Sequence, residues 1–249
     1  MAKEELMKIT LARTLLSKKT TSDSVLMGLF SFSFLLLLFW INEMNILPVN
    51  QWMTANGIQV FQKNEYWRLF TSTLIHGDLT HLGGNALFFT GFSILLYNYF
   101  GWLIFPGLSL LVGALINYIS LKFYAPEVTL VGISGVIYFM ASFWMTLFIF
   151  IERKESLPRR FIIVMGLSLI FFFPDVFNFQ TSYLAHALGF GLGIPVAALV
   201  FFLNKKNFRQ EEVWTVEMDQ EDLIYNEEEA HRMELEKQQQ CEELCSHHG

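Results

Sequence analysis

The stretch VTLVGISGVIYFMASFWMTLFIFI, residues 128–151, contains no charged side chain and carries Ser134 in the sequence GISG. It is long enough to cross a bilayer as one helix, which takes roughly 20 apolar residues. A second charge-free stretch carries His186 in the sequence AHALG, residues 185–189. Polar side chains in apolar spans cost free energy unless they are paired. Ser134 and His186 are therefore candidates for a functional site.

The composition predicts a membrane protein. Hydrophobic residues make up 53% of the 249-residue chain and charged residues 16%, and the 26 phenylalanines outnumber the 17 lysines and arginines. This is too apolar for an ordinary soluble domain. The net charge of −6 argues against a nucleic-acid partner. Both cysteines, Cys241 and Cys245, lie in the polar tail, so no disulfide scaffold is predicted.

Charge-free runs predict six transmembrane helices in an all-α membrane protein. The runs are Ser24 to about Asn42, Leu82 to Leu121, Val128 to Ile151, Phe161 to about Pro174, and Val176 to Asn204. The second run supplies two helices because Gly101 and Pro106 interrupt it. We expect a helical bundle over residues 24–204, an N-terminal segment over 1–23 and an acidic, Glu/Gln-rich tail over 205–249.

The positive charges predict the orientation, because lysine and arginine favour cytoplasmic loops. Most of them lie before the first span, between the fourth and fifth spans, or after the sixth. These are Lys3, Lys8, Arg13, Lys18, Lys19, Arg153, Lys154, Arg159, Arg160, Lys205, Lys206 and Arg209. Only Lys63, Arg68 and Lys122 fall in the loops on the other side. Both termini are therefore predicted to be cytoplasmic.

In this orientation the second, fourth and sixth spans enter the membrane from the outer side. His81 and Asn85 lie at the start of the second span, Ser134 near the start of the fourth and His186 near the start of the sixth. We therefore expect the four side chains to converge at one depth in the outer part of the bilayer. His81 and Asn85 are four residues apart and share a helix face, as do Ser134 and Tyr138.

These residue types are typical of serine hydrolysis. A serine hydroxyl becomes a useful nucleophile beside a base, and neutral imidazole is the usual base near pH 7. The Asn85 amide and backbone N–H groups at a helix start can stabilise the oxyanion that forms. No aspartate or glutamate lies in the spans beside His186, so the pattern predicts a dyad without a carboxylate.

At these residues the sequence resembles the rhomboid family of intramembrane serine proteases. The family's GxSG motif occurs at residues 132–135 and its AHxxG motif at residues 185–189. Its histidine and asparagine motif occurs as HGDLTHLGGN, residues 76–85, and a tryptophan-arginine pair occurs at Trp67 and Arg68. The resemblance covers about residues 25 to 204 and implies a rhomboid-like six-span bundle.

The resemblance also implies roles for the polar residues. Ser134 would be the nucleophile and His186 the general base. Asn85, His81 and the backbone N–H of Ser134 would form the oxyanion hole, and Tyr138 would stack on the His186 ring. His76, the remaining histidine of this motif, would line a water path to the site or form a bond within its loop.

The glycines and the first outer loop have supporting roles in this resemblance. Gly189 and Gly193 on the sixth span, with Gly135 on the fourth, would allow the two helices to approach closely. Gly132 belongs to the same motif as the nucleophile. Trp67 and Arg68 would anchor the first outer loop at the membrane interface.

Each feature also has an ordinary structural explanation when it is taken alone. An intramembrane serine often bonds back to its own helix. His186 and Asn85 are both residue types that form hydrogen bonds between helices, and Tyr138 is compatible with plain packing. The four motifs in order favour catalysis over these alternatives.

The resemblance implies an intramembrane serine endopeptidase. Its partners would be the lipid bilayer and membrane proteins whose transmembrane segments it cuts, without a cofactor, in a bacterial plasma membrane. Two alternatives stay open: a non-catalytic rhomboid-like protein that binds and remodels membrane proteins, and a small transporter, which fits worse because no internal repeat is evident. Neither the oligomeric state nor the substrate is indicated by the sequence.

The C-terminal tail predicts a disordered segment or a solvated helix. It ends in a cluster of potential metal ligands, namely Cys241, Cys245, His247 and His248. Their spacing matches no established zinc pattern, so no metal site is predicted.

Overall fold

The computed structural model describes residues 8–172, 182–217 and 228–237. Two compact units divide the chain: Thr14–Glu211, and a second unit made of Met1–Arg13 and Glu212–Gly249. The Cys/His cluster of the tail and the predicted end of the fifth span at Pro174 lie outside the described residues.

The unit Thr14–Glu211 is built from helices. In chain order the α-helices are α1 (Ser22–Glu43), α2 (Val49–Met53), α3 (Arg68–Thr71), α4 (Leu79–Phe100), α5 (Ser109–Phe123), α6 (Ser134–Ile151), α7 (Leu157–Phe172) and α8 (Tyr183–Gln210). Short 3-10 turns occur at Leu15–Ser17 and Ser72–Leu74, and π-helical turns at Ile58–Gln62 and Leu103–Leu108.

Within the described residues, five helical segments are long and apolar enough to cross a membrane. They are Ser22–Glu43, Leu79–Phe100, Leu103–Phe123, Ser134–Ile151 and Tyr183–Gln210. The segment predicted as the fifth span corresponds to α7, which has 16 residues and begins with the sequence LPRR. At a rise of about 1.5 Å per residue it is about 24 Å long, somewhat shorter than a hydrocarbon core of about 30 Å.

The predicted break in the second apolar run is confirmed. Helix α4 ends at Phe100, and Gly101 adopts a φ of 71°, a left-handed conformation that favours glycine. The chain re-enters a helix through the π-helical turn that contains Pro106. At its other end α4 is capped by Asp78, whose carboxylate accepts a hydrogen bond of 2.7 Å from the backbone N–H of His81.

Helix α6 forms the centre of the bundle. Two thirds of the residues of α6 are buried, whereas only 28% are buried in the most apolar 18-residue stretches of α1 and α8. Its side chains Phe139, Phe143 and Leu147 are fully buried, and they belong to one core that also contains Leu96 of α4. A helix that is buried on almost every side must be apolar almost all round, and the sequence of α6 is.

The bundle extends beyond the predicted residues 24–204 at both ends. Helix α8 continues to Gln210. Before α1, the Thr14 hydroxyl donates a hydrogen bond of 3.0 Å to the carboxylate of Glu152, which follows α6. This buried polar contact ties the residues that precede α1 to the end of the central helix.

The prediction of an all-α membrane protein agrees with the mostly helical structure, and the terminal unit adds two short strands. Strands β1 (Lys8–Arg13) and β2 (Val213–Glu217) pair antiparallel, with Ile9 opposite Val216 and Leu11 opposite Trp214. The sequence of β2, VWTVE, consists mostly of β-branched and aromatic residues, which favour strands. The acidic composition of the tail as a whole predicted disorder or a solvated helix, and it did not indicate this short strand. Residues 228–237 form a further helix.

Candidate active site

A turn at Gly132 leads the chain into α6 at Ser134. Gly132 has a φ of 105°, which side-chain-bearing residues rarely adopt. Its backbone N–H donates a hydrogen bond of 3.0 Å to the carbonyl oxygen of Ser72, in the segment between α3 and α4. Ser134 is the first residue of the helix, where backbone N–H groups lack partners within the helix and the helix dipole is positive.

Gly132 lies directly against two polar side chains of α4. A Cβ atom on Gly132 would stand 2.8 Å from Nε2 of His81 and 3.7 Å from Nδ2 of Asn85. The Nδ2 atom of Asn85 is buried and has no hydrogen-bond partner within the described parts of the chain. An unused buried donor is costly in a structure that serves only stability. The structure therefore brings an amide donor and an imidazole to the turn that precedes Ser134.

His186 lies one turn into α8 and is buried. The Ser182 hydroxyl caps this helix by accepting a hydrogen bond of 3.4 Å from the N–H of Ala185, and it also lies 2.9 Å from the Tyr124 hydroxyl. The His186 ring stacks on the ring of Tyr138, with centroids 4.2 Å apart and an interplanar angle of 17°. This contact restricts the orientation of the imidazole from one side.

The backbones of α6 and α8 are in contact beside these residues. A Cβ atom on Gly135 would stand 3.5 Å from the carbonyl oxygen of Ala185, and one on Gly189 would stand 2.3 Å from the carbonyl oxygen of Gly135. Two turns further into α6, a Cβ atom on Gly193 would stand 1.9 Å from the Ser142 hydroxyl and 2.7 Å from the carbonyl oxygen of Phe139. The residues that follow Ser134 and precede His186 in sequence are thus direct neighbours.

A small cavity lies between the two helix starts. It has a volume of about 20 Å³, and its lining includes Ser134, Gly135, Ser182, Ala185 and Asn117. A polar cavity needs roughly 10–15 Å³ to hold a water molecule. The cavity therefore has room for one water in contact with the serine.

Asn117 of α5 was not among the predicted site residues. Its amide lies within an apolar span, and such a polar group indicates a functional or a structural role. Its Nδ2 atom donates hydrogen bonds of 3.0 Å to the carbonyl oxygen of Leu69 and to the Ser72 hydroxyl. Because the Ser72 carbonyl oxygen in turn accepts from the N–H of Gly132, Asn117 supports the turn before Ser134 through Ser72.

His76 lies in the loop before α4 and is 2% exposed. Its ring meets the His81 ring edge-on, with centroids 5.1 Å apart. Burial, reinforced by the neighbouring His81, lowers the pKa of His76 to about 4, against the opposing effects of the Leu74 backbone and the Asp78 carboxylate. His76 is therefore neutral near pH 7, and it borders the site through His81.

The tryptophan-arginine pair divides into two different environments. The Trp67 side chain is exposed, whereas Arg68 is buried. Nη1 of Arg68 donates to the carbonyl oxygens of Gln51 (2.8 Å) and Thr54 (2.9 Å), and Nε donates to the Glu65 carboxylate. Arg68 thus joins the start of α3 to the end of α2. Its contacts lie within the protein, and only Trp67 presents a surface to the surroundings.

The described ranges contain no group of three or more histidine, cysteine, aspartate or glutamate side chains that could hold a metal ion. The three histidines near Ser134 are His76, His81 and His186. Two of them pack against each other, and the third packs against Tyr138.

The fold and the site together define a helical membrane protein with a serine and a histidine at neighbouring helix starts. A family model described as the Rhomboid domain matches residues 63–202, more than half of the chain. The chain therefore belongs to the rhomboid family, as its motifs predicted, and it is an integral multi-pass membrane protein. Rhomboids are generally intramembrane serine proteases that act on membrane proteins. No curated protein matches the chain.

Proposed function

We propose that the protein is a serine endopeptidase that hydrolyses peptide bonds in or near transmembrane segments, with Ser134 and His186 as its dyad. The proposal rests above all on the contact between the starts of α6 and α8. Gly135, next to Ser134, packs on Ala185, next to His186, while the His186 ring stacks on Tyr138 one turn from the serine. Ser134 combines a helix start, a cavity and a histidine on the facing helix.

In the first step the Ser134 hydroxyl attacks the carbonyl carbon of the substrate, and its proton passes to the His186 imidazole. The Tyr138 ring holds the imidazole in orientation, in place of the carboxylate of a catalytic triad. The imidazolium then gives the proton to the leaving amine, and the C–N bond breaks. An acyl-enzyme on Ser134 remains.

The oxyanion of this step needs donors on the Gly132 side of the serine. The buried Asn85 amide and the His81 ring both lie against Gly132, and the N–H of Ser134 is at the positive end of the helix dipole. Donors that are fixed before the reaction stabilise developing charge without reorganisation. Donation to the oxyanion would give the buried Nδ2 of Asn85 the acceptor that it lacks among the described residues.

Hydrolysis of the acyl-enzyme needs a water molecule beside the ester. The cavity between Ser134 and Ala185 has room for one water. His186 would take a proton from this water as it attacks, and Ser134 would leave with that proton. The two half-reactions restore the starting state and require only side chains, backbone donors and water.

For the topology, we propose six spans with both termini in the cytoplasm. Helix α7 would be the additional span, and its N-terminal arginines, Arg159 and Arg160, would lie at the cytoplasmic surface. The starts of α4, α6 and α8 would then face outward, and water would reach Ser134 from that side. We place the protein in a bacterial plasma membrane, with membrane-protein substrates.

The test is cleavage of a single-span reporter by the full-length protein in proteoliposomes. Ser134→Ala and His186→Ala should each lower kcat by roughly a thousandfold or more, because a dyad member acts as part of a unit. Ser142→Ala, on the same helix, removes only a hydroxyl bonded to the Phe139 carbonyl and should keep most of the activity. Thermal unfolding of each variant checks that the fold is retained.

A fluorophosphonate probe separates catalysis from the non-catalytic alternative. The wild type should be labelled at Ser134, and Ser134→Ala should not. A protein that binds single-span segments but shows neither labelling nor cleavage would be a rhomboid-like binding protein, and the dyad would be rejected.

A further inference from the structure

A second concave site lies on the face of α5 that points away from Ser134. It is a groove of about 360 Å³ between α3 and α5, lined by apolar and aromatic side chains that include Leu69, Phe70, Leu111, Leu115 and Tyr118. Its volume lies at the lower end of the range of roughly 300–1,000 Å³ for ligand pockets. The cavity at Ser134 is lined by other residues of α5, so the two sites do not share a wall side chain from that helix.

The groove follows one stripe of the helix. Leu111, Leu115, Tyr118 and Lys122 are spaced by four, three and four residues, which places them along a single face of α5. At a rise of about 1.5 Å per residue the stripe is about 16 Å long. Half of a hydrocarbon core of roughly 30 Å is about 15 Å. The stripe thus has the length of one lipid leaflet; the groove takes up about 10 Å of it, from Leu111 to Tyr118, and Lys122 lies one turn beyond.

A cation marks the end of this stripe. The Lys122 ammonium lies 3.9 Å from the centroid of the Phe61 ring and 5.5 Å from that of Tyr118, so aromatic faces hold it in position. Among the ion pairs formed within residues 8–172, 182–217 and 228–237, none involves Lys122. Within these ranges the ammonium has aromatic partners but no carboxylate partner, so it can bind an anion at the headgroup level of the span.

We propose that this groove binds one phospholipid, with an acyl chain along Leu111, Leu115 and Tyr118 and its phosphate at Lys122. An apolar helix face without a groove or a charge would contact the lipids of the bilayer without selecting one. The combination of an apolar groove and a fixed cation one helix turn beyond it is complementary to an acyl chain that carries a negative headgroup. This goes beyond the proposed protease activity and does not depend on it.

The proposal is tested with full-length protein in phosphatidylcholine nanodiscs that contain a small fraction of phosphatidylglycerol with a photoactivatable acyl chain. After irradiation, labelled positions are mapped by mass spectrometry. Labelling should be concentrated on Leu111 and Leu115 and exceed that on Leu199 of α8, which is as exposed as Leu111 and more exposed than Leu115.

Two matched pairs of variants isolate the groove and the cation. Leu115→Trp fills the groove and should abolish its labelling, whereas Leu199→Trp should not change it. Lys122→Gln should lower the labelling about fivefold, which corresponds to one lysine–lipid charge interaction. Lys63→Gln, another outer-loop cation, should leave it unchanged. Lys122 is exposed, so its variant tests the proposal even if Leu115→Trp fails to fold.

Two results would overturn the proposal. Equal labelling of the groove and the Leu199 face, with no effect of Lys122→Gln, would mean that only bulk lipid touches α5. Displacement of the label from Leu115 by an added single-span peptide in the Ser134→Ala protein would mean that the groove receives a protein helix instead.

Discussion

Helices α7 and α8 both pack on the central helix α6, but they do so in different ways. Helix α8 meets it backbone to backbone at Gly189 and Gly193. Helix α7 meets it through side chains: the Ser168 hydroxyl approaches the Met145 sulfur at 3.5 Å, and the Arg160 guanidinium donates to the Ile149 carbonyl. Much of α7 is exposed, including Ile162 at 71% and Leu169 at 66%.

The two kinds of contact differ in how tightly they fix the spacing between the helices. A backbone contact leaves no side chain that can change rotamer to absorb a shift, so the spacing of α6 and α8 is fixed by shape. A contact through long side chains can adjust. Ser134 and His186, for which the proposed mechanism requires a defined separation, lie on the pair of helices whose backbones touch.

The largest expected difference in stability lies between leucines of α6 and α7. Leu147→Ala opens a cavity in the buried centre and should lower the free energy of unfolding by about 2–5 kcal/mol. Leu169→Ala, on the exposed face of α7, should change it by less than about 0.5 kcal/mol. Reversible unfolding in mixed micelles measures both. Similar losses for the two variants would contradict the difference in packing.

Acid should lower the stability of the protein through His76, in the loop before α4. Because its pKa is lowered to about 4, His76 stays neutral in the folded protein below pH 6.5, while the unfolded chain binds a proton. Stability should therefore fall by about 3 kcal/mol as the pH drops from about 6.5 to about 4.

His76→Gln should remove most of this pH dependence. The difference between Leu147→Ala and Leu169→Ala should stay the same across the pH range, because it arises from packing. An unfolding titration that shows the same acid loss in wild type and His76→Gln would assign it to another group.

The backbone contact is tested at Gly189. In Gly189→Ala the new methyl group would meet the carbonyl oxygen of Gly135, so α6 and α8 must separate. Reporter cleavage should fall about 100-fold, as expected for a displacement of about 1 Å between reacting groups. The matched control is Gly191→Ala, two residues further along, where a Cβ atom meets nothing within 4 Å. Equal activity of the two variants would refute the tight contact.

The smallest effect is expected at Tyr138. Tyr138→Leu removes the ring that stacks on His186 and should lower kcat about two- to tenfold, in line with about 0.5–1.5 kcal/mol for an aromatic pair. Tyr138→Phe keeps the ring and should stay closer to wild type. A loss in Tyr138→Phe as large as in Tyr138→Leu would shift the role from the ring to the hydroxyl.

Parts of the fold and site followed from the sequence because their causes are local. Hydrophobic length marks the apolar helices, and glycine in a left-handed conformation ends α4 at Gly101. The motifs predicted which family the chain belongs to. The span predicted from Val128, however, begins as a helix only at Ser134. The roles of Ser134 and His186 remain predictions.

Other features depended on partners far away in the chain. The binding of Arg68 to two loop carbonyls and of Asn117 to Leu69 and Ser72 cannot be read from spacing, because any buried donor has many acceptors to choose from. The pairing of β1 with β2 joins segments about 200 residues apart. Neither strand alone carries a signal for the other.

The sequence by itself determined the apolar spans, the polar residues within them and the family, since these depend on the order and chemistry of neighbouring residues. Only the tertiary structure decided that Gly135 rests on Ala185, that the unused Asn85 amide faces Gly132, and that α7 packs more loosely than α8. These contacts are set by how whole helices fit against one another, and that fit is a property of surfaces assembled from distant parts of the chain.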